Sequence, residues 1–168
     1  MEYFLLKVSN HVNKPIKPKL QSVSTLITEV SDLADYSIGY YDREGNEKTD
    51  ILTVPLFMVS EEIKNVLKMY DADMICKGIQ LFSNDEEYVP ILYFAIQPYR
   101  ADCLHRDVRI NPNGTVNEVV LDKKMIPNKD IFVIDRLIET KIVISLRVAE
   151  SLLRRSIYGI GLETIKVR

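Results

Sequence analysis

Asp102, Cys103 and His105 are the only close grouping of residue types used in catalysis. A cysteine nucleophile needs a base nearby in space to raise its thiolate fraction. On an extended chain, residues two apart share a face, so Cys103 and His105 can meet there. The plainer reading is preferred: Cys103, beside Leu104, is a small core residue, and His105 and Arg106 are its solvated neighbours. Metal chemistry finds less. His11 and His105 are isolated, and the two cysteines, Cys76 and Cys103, lack the paired spacing of a zinc site. Asp71-Ala72-Asp73 opens like a calcium loop. However, Cys76 stands where that loop needs glycine and Phe82 where it needs the closing glutamate. No Gly-rich loop joins a strand to a helix as a nucleotide site requires. No cofactor is expected.

Residues suited to contact with another protein are easier to find. Asp85-Glu86-Glu87 can form an acidic patch that meets a basic partner, although a solvated hairpin tip has the same composition. Tyr40-Tyr41 and Tyr99-Arg100 are of the types enriched at interface hot spots, in a chain with nine tyrosines. Asp85, Glu86, Glu87, Tyr40 and Tyr41 are therefore the candidate partner-binding residues. Arg154-Arg155 fits a helix C-terminus, where cations suit the dipole without any ligand.

Composition narrows the classes further. The chain has 168 residues, 46% hydrophobic and 27% charged, an ordinary globular balance. That length suits one domain, here expected as two similar halves, about 1–96 and 97–168. A net charge of -2 and a pI near 5.8 give no sign of nucleic-acid binding. Two cysteines without close spacing fit the reduced thiols of an intracellular protein. No signal peptide is visible, and no run reaches the roughly 20 apolar residues of a membrane span. A soluble, cytoplasmic protein is expected, with its oligomeric state left open.

The elements that must position these residues follow from periodicity. Tyr3–Val8, Ser37–Tyr41, Ile79–Phe82, Val89–Ile96, Ile131–Ile134 and Ile138–Ile144 read as strands. Lys48–Thr53 is expected to return on Ser37–Tyr41 across the Asp42–Asn46 turn. Asn111-Pro112-Asn113-Gly114 is the strongest turn signal. Leu20–Ala34 carries a helical spacing on poor helix formers. The clearest pattern occurs twice. Val59-Ser60 leads into a helical stripe at Ile63, Val66, Leu67 and Tyr70, then Gly78 and an apolar run. Ile144-Ser145 leads into Val148, Ala149, Leu152 and Leu153, then Gly159, Gly161 and a last strand. Each serine is placed to cap its helix. The expected fold is α+β: about nine strands in a mostly antiparallel or mixed sheet, two or three helices on one face, and a duplicated strand-Ser-helix-Gly-strand unit.

Two stretches carry a family resemblance. IFVIDRLIETKIVISLRVAESLLRRSIYGIGLETIKV is one; VSEEIKNVLKMYDADMICKGIQLF, with YFAIQPYRADCLHRD further on, is the other. Both resemble the immunity proteins of bacterial polymorphic-toxin systems, in the group numbered eleven and its relatives. Matching features are Tyr3-Phe4, the serine helix starts after Val59 and Ile144, the Tyr-Phe strand leading to Asp102 and Leu104, Ile131-Phe132, and the glycine-apolar finish. They cover most of 54–168; residues 10–50 match loosely. The resemblance implies a non-enzymatic protein that binds and blocks a cognate toxin domain. It transfers no site residues, because binding surfaces diverge within such families. The alternatives are another interaction module, regulatory or mobile-element accessory, or an enzyme using Asp102, Cys103 and His105.

Overall fold

The computed structural model describes residues 1–21, 29–85 and 87–168. In chain order these form β1 (Tyr3–Val8), β2 (Lys19–Leu20), a 3-10 turn (Val30–Asp32), β3 (Tyr36–Tyr41), β4 (Ile51–Leu52), β5 (Met58–Ser60) and α1 (Glu61–Tyr70). There follow β6 (Ile75–Ser83), β7 (Ile91–Gln97), β8 (Tyr99–Ala101), β9 (Val120–Leu121), β10 (Ile131–Ile134), β11 (Ile142–Ser145), α2 (Leu146–Leu153), β12 (Ile160–Thr164) and β13 (Lys166–Val167). The fold is α+β with mixed sheets. Of the helix expected over Leu20–Ala34, residues 22–28 lie outside the described residues; the described ends are β2 and the 3-10 turn, not α-helix.

Two sheets carry the structure. A five-stranded sheet runs β12-β1-β11-β10-β8 and a six-stranded sheet runs β2-β3-β6-β7-β5-β4. β1 lies between β11 and β12, antiparallel to both. The division into 1–96 and 97–168 is therefore crossed at once, since the first strand belongs to the sheet built by the last. Strand alternation sorts side chains onto two faces. In β10, Ile131 and Val133 enter a core shared with both helices, while Phe132 and Ile134 enter a second core beneath the sheet. The shared core also takes Ile63, Val66 and Leu67 of α1 and Val148, Ala149 and Leu152 of α2. Each large aliphatic side chain buried there contributes about 1.5–3 kcal/mol. The helical stripes read from the sequence are thus what holds the two sheets together.

Both strand–helix–strand units have one connectivity. β5 and β6 flank β7, antiparallel to each, with α1 as the crossover. β11 and β12 flank β1 in the same way, with α2 as the crossover. This shared connectivity does not confirm a duplicated unit, and the details differ. Ser60 caps α1, its Oγ accepting the Ile63 N–H at 3.4 Å. Ser145 sits at the same position of α2 but makes no such bond. Its hydroxyl instead donates to Asp130 Oδ1 at 2.6 Å, because Asp130 is held beside it by the Arg147 guanidinium. Gly78 does not interrupt a strand either. It lies inside β6, under the ring of Tyr36.

One expected hairpin is replaced. β3 does not pair with the stretch after the Asp42–Asn46 turn. It runs parallel to β6, and β4 goes to the opposite edge of the sheet, against β5. Ile51 and Leu52 are both almost fully buried, one in each core beside that sheet. An edge hairpin on β3 would leave one of them in solvent. The Asn111–Gly114 turn forms as expected, with the Asn111 N–H donating to Thr115 O at 2.8 Å. Its arms make only the single bridge Ile110–Val116.

The sheets also meet at Thr49–Asp50 and Tyr158–Gly159. The Asp50 N–H donates to Tyr158 O at 2.9 Å, and the Tyr158 N–H donates to Asp50 Oδ2 at 2.6 Å. Gly159 has a φ of 83°, and a Cβ there would stand 2.7 Å from Thr49 Cβ. Gly159→Ala should therefore destabilise the fold by about 2 kcal/mol, from left-handed strain and a clash with buried Thr49. Urea unfolding measures this as a lowered midpoint at unchanged slope.

The Asp130–Arg147 pair carries a pH dependence. The hydrogen bond from Arg147 holds the Asp130 carboxyl below the usual carboxylate range, against its own desolvation. A carboxyl so lowered holds fewer protons folded than unfolded. Its stabilisation is present above the unfolded value, about pH 4, and is lost as pH falls through the folded value. The stability gap between wild type and Asp130→Asn should thus narrow from pH 7 toward pH 3 in denaturation titrations.

Candidate partner-binding face

The six-stranded sheet is wider than its helix. α1 packs on β5 and β7, and Lys64 reaches out from it to place Nζ 4.2 Å from the Phe94 ring centroid. Beyond Phe94 the same face continues over β6 and β3. Register sets the rows: Tyr36 beside Gly78 and Phe94, Ile38 beside Gln80 and Leu92, Tyr40 beside Phe82. Tyr36 is 74% exposed, Ile38 43% and Tyr40 42%, and Phe82 is half-buried. The opposite face of these strands is closed by Ile16, Val30 and Leu33 over Tyr41, Ile79 and Leu81. One face is thus core and the other an open aromatic stripe.

The stripe is held in shape by packing. A Cβ at position 78 would stand 2.5 Å from Tyr36 Cδ1, so the ring rests on the bare backbone of β6. Such a ring over a strand glycine loses rotamer freedom before any partner arrives. The Tyr40 and Phe82 rings pair at 6.2 Å. Aromatic side chains already fixed and already exposed give up little entropy on binding.

The candidate residues divide along the strand. Tyr40 lies on the open face. Tyr41 alternates inward, is 2% exposed and cannot touch a partner on that face. Asp85 and Glu87 are exposed in the β6–β7 loop at the end of the stripe, and Glu86 lies outside the described residues. The loops after β3 and β6 are neighbours, because the Asn84 N–H donates to Tyr41 O at 3.3 Å. Arg43 lies 4.5 Å from the Tyr88 ring centroid. Tyr40 and the acidic loop are therefore brought to one corner. Tyr36 and Ile38 escaped sequence reasoning. Their period-two spacing with Tyr40 was visible, but a strand paired on both sides reads the same whether its outer face is open or covered.

The structure does not assemble a nucleophile at Cys103. The thiol is buried in the core below the five-stranded sheet. Desolvation first, then the nearby Asp102 charge, push its pKa up to about 11. Asp102 is paired with Arg136, and His105 Nδ1 accepts the Asp107 N–H at 3.3 Å. Both cysteines are free thiols. Among the described residues no group of three His, Cys, Asp or Glu side chains is placed to hold a metal, and no helix is long and apolar enough to cross a membrane.

Two open clefts, about 520 and 460 Å³, flank the Val54–Phe57 loop where it faces Ile138–Thr140. Their rim charges are already paired: Lys7 with Glu163, Lys141 with Glu139, Arg100 with Glu29.

No protein-family model matches the chain, and no curated protein matches it in sequence.

Tyr41 itself yields a test of the alternation. Its hydroxyl is buried without a hydrogen-bond partner among the described residues, and an unsatisfied buried hydroxyl is costly. Tyr41→Phe should raise stability by about 1 kcal/mol, measured by thermal or urea unfolding. An outward-facing Tyr41 would leave it unchanged.

Proposed function

We propose that the protein is a non-enzymatic binding module of the immunity type, which occupies and blocks a cognate bacterial toxin domain. The observation that carries the reading is the open aromatic half of the six-stranded sheet. Apolar residues exposed side by side on a folded domain mark interaction sites, and here Tyr36, Ile38 and Tyr40 are 74%, 43% and 42% exposed. Its tyrosines are of the kind that anchor protein interfaces. The resemblance of Val59–Phe82 and Ile131–Val167 to immunity proteins supplies the class of partner. Burial of Cys103 removes the best support for a catalytic alternative.

Blocking by occlusion needs only affinity and placement. Tyr36, Ile38, Tyr40 and Phe82 supply an apolar centre from which water is excluded. The core behind them, with Tyr41, Ile79 and Leu81, keeps the sheet rigid.

The test is co-expression with the product of the adjacent gene. The expected result is that the neighbour is toxic alone, harmless together, and co-purifies in fixed ratio. Tyr36→Ala with Tyr40→Ala should then weaken binding by about tenfold or more without unfolding the protein. A harmless neighbour that does not co-purify would defeat the reading.

A further inference from the structure

We infer that the partner presents a cationic surface around an apolar or aromatic anchor. The anchor sits over Tyr36, Ile38, Tyr40 and Phe82, and the cations meet Asp42, Glu44, Asp85 and Glu87. This rests on the reading of that sheet face as the partner-binding surface. The whole chain is only slightly acidic, at a net charge of -2, so the imbalance is local. β3 and β6 run parallel and both end at this corner, where Asn84 beside Asp85 bonds to Tyr41 just before the Asp42–Glu44 loop.

The carboxylates there are spare. Asp42 Oδ1 accepts the Glu44 N–H and Asp85 Oδ1 the Glu87 N–H, each at 3.0 Å, within their own turns. Among the described residues none of Asp42, Glu44, Asp85 and Glu87 is bridged to a cation. Elsewhere carboxylates do have such partners, as Asp130 has Arg147 and Asp102 has Arg136. Arg43, between Asp42 and Glu44, lies over the Tyr88 ring. Lys19, in register with Tyr40, is the one lysine of β2 at this face.

A cationic partner gains attraction at this rim and an acidic one is repelled. Rim charges set the speed and direction of approach, and the apolar centre sets residence time. A second copy is a poor occupant. In a two-fold pair the same patch meets itself, and this patch offers few cations to its own carboxylates.

The test needs no natural partner. A random dodecapeptide library displayed on its own mRNA is selected on the immobilised full chain, and enriched peptides are measured on wild type, Tyr36→Ala/Tyr40→Ala and Glu44→Lys/Glu87→Lys. The charge reversals avoid Asp42 and Asp85, whose side chains hold turns. Circular dichroism checks that each variant folds. The expected peptides combine Lys or Arg with Trp, Tyr or Leu. Both double variants should weaken them about tenfold, as should raising salt from about 50 to 500 mM. Neutral or acidic peptides that still depend on Tyr36 would overturn the cationic partner and leave the face as the binding surface. Peptides indifferent to Tyr36 and Tyr40, or no enrichment over a blank support, would overturn both. Self-association through Tyr36 during selection would make a second copy the occupant and overturn the inference.

Discussion

β1 is the constraint on which the rest depends. Residues 3–8 fill the slot between β11 and β12 and complete a sheet whose other strands come from residue 99 onward. Without it, β11 and β12 would lie two strand positions apart, with their backbone donors and acceptors open. Its side chains feed both cores of that sheet: Leu6 with the helices, Tyr3 and Leu5 beneath. A parallel strand–helix–strand crossover with an antiparallel strand between is closed only when that strand arrives. Here it arrives from the far end of the chain, a long-range contact that folding must close against loop entropy.

The same logic leaves the other sheet incomplete on one side. The antiparallel insert in that unit is β7, close in sequence, and α1 covers β5 and β7. One ten-residue helix is narrower than a six-stranded sheet. The strands added beyond β7 therefore have a core behind them and solvent in front. Tyr36, Ile38, Tyr40 and Phe82 occupy that outer face, where a sheet with no partner would ordinarily carry polar residues. The acidic loops at its end follow from the same geometry, since parallel neighbours end together.

Candidate chemistry behaves in the opposite way. Asp102, Cys103 and His105 are adjacent in sequence, yet the fold separates them: Cys103 into the core, Asp102 to Arg136, His105 to the Asp107 backbone. Burial raises the thiol's pKa because the charged form loses its hydration. A grouping of reactive types in sequence is informative only where the fold leaves them facing one another.

The sequence by itself determined the class of fold and much of its local structure. The apolar stripes of α1 and α2, the capping serine at 60, the strands around Tyr3, Ile79, Tyr93 and Ile131, and the turn at Gly114 were all legible, because each depends on neighbours within a few residues. The acidic loop and Tyr40 were legible as contact candidates for the same reason. Tertiary structure alone decided that β3 runs beside β6, that Ser145 serves Asp130 and not its helix, and that Tyr41 is core. It alone decided that the Tyr36 ring packs against Gly78 in the open. The physical reason is common to all four. Strand partner, face exposure and hydrogen-bond competition are set by groups distant in sequence, and period-two alternation says that two faces differ without saying which one water will see.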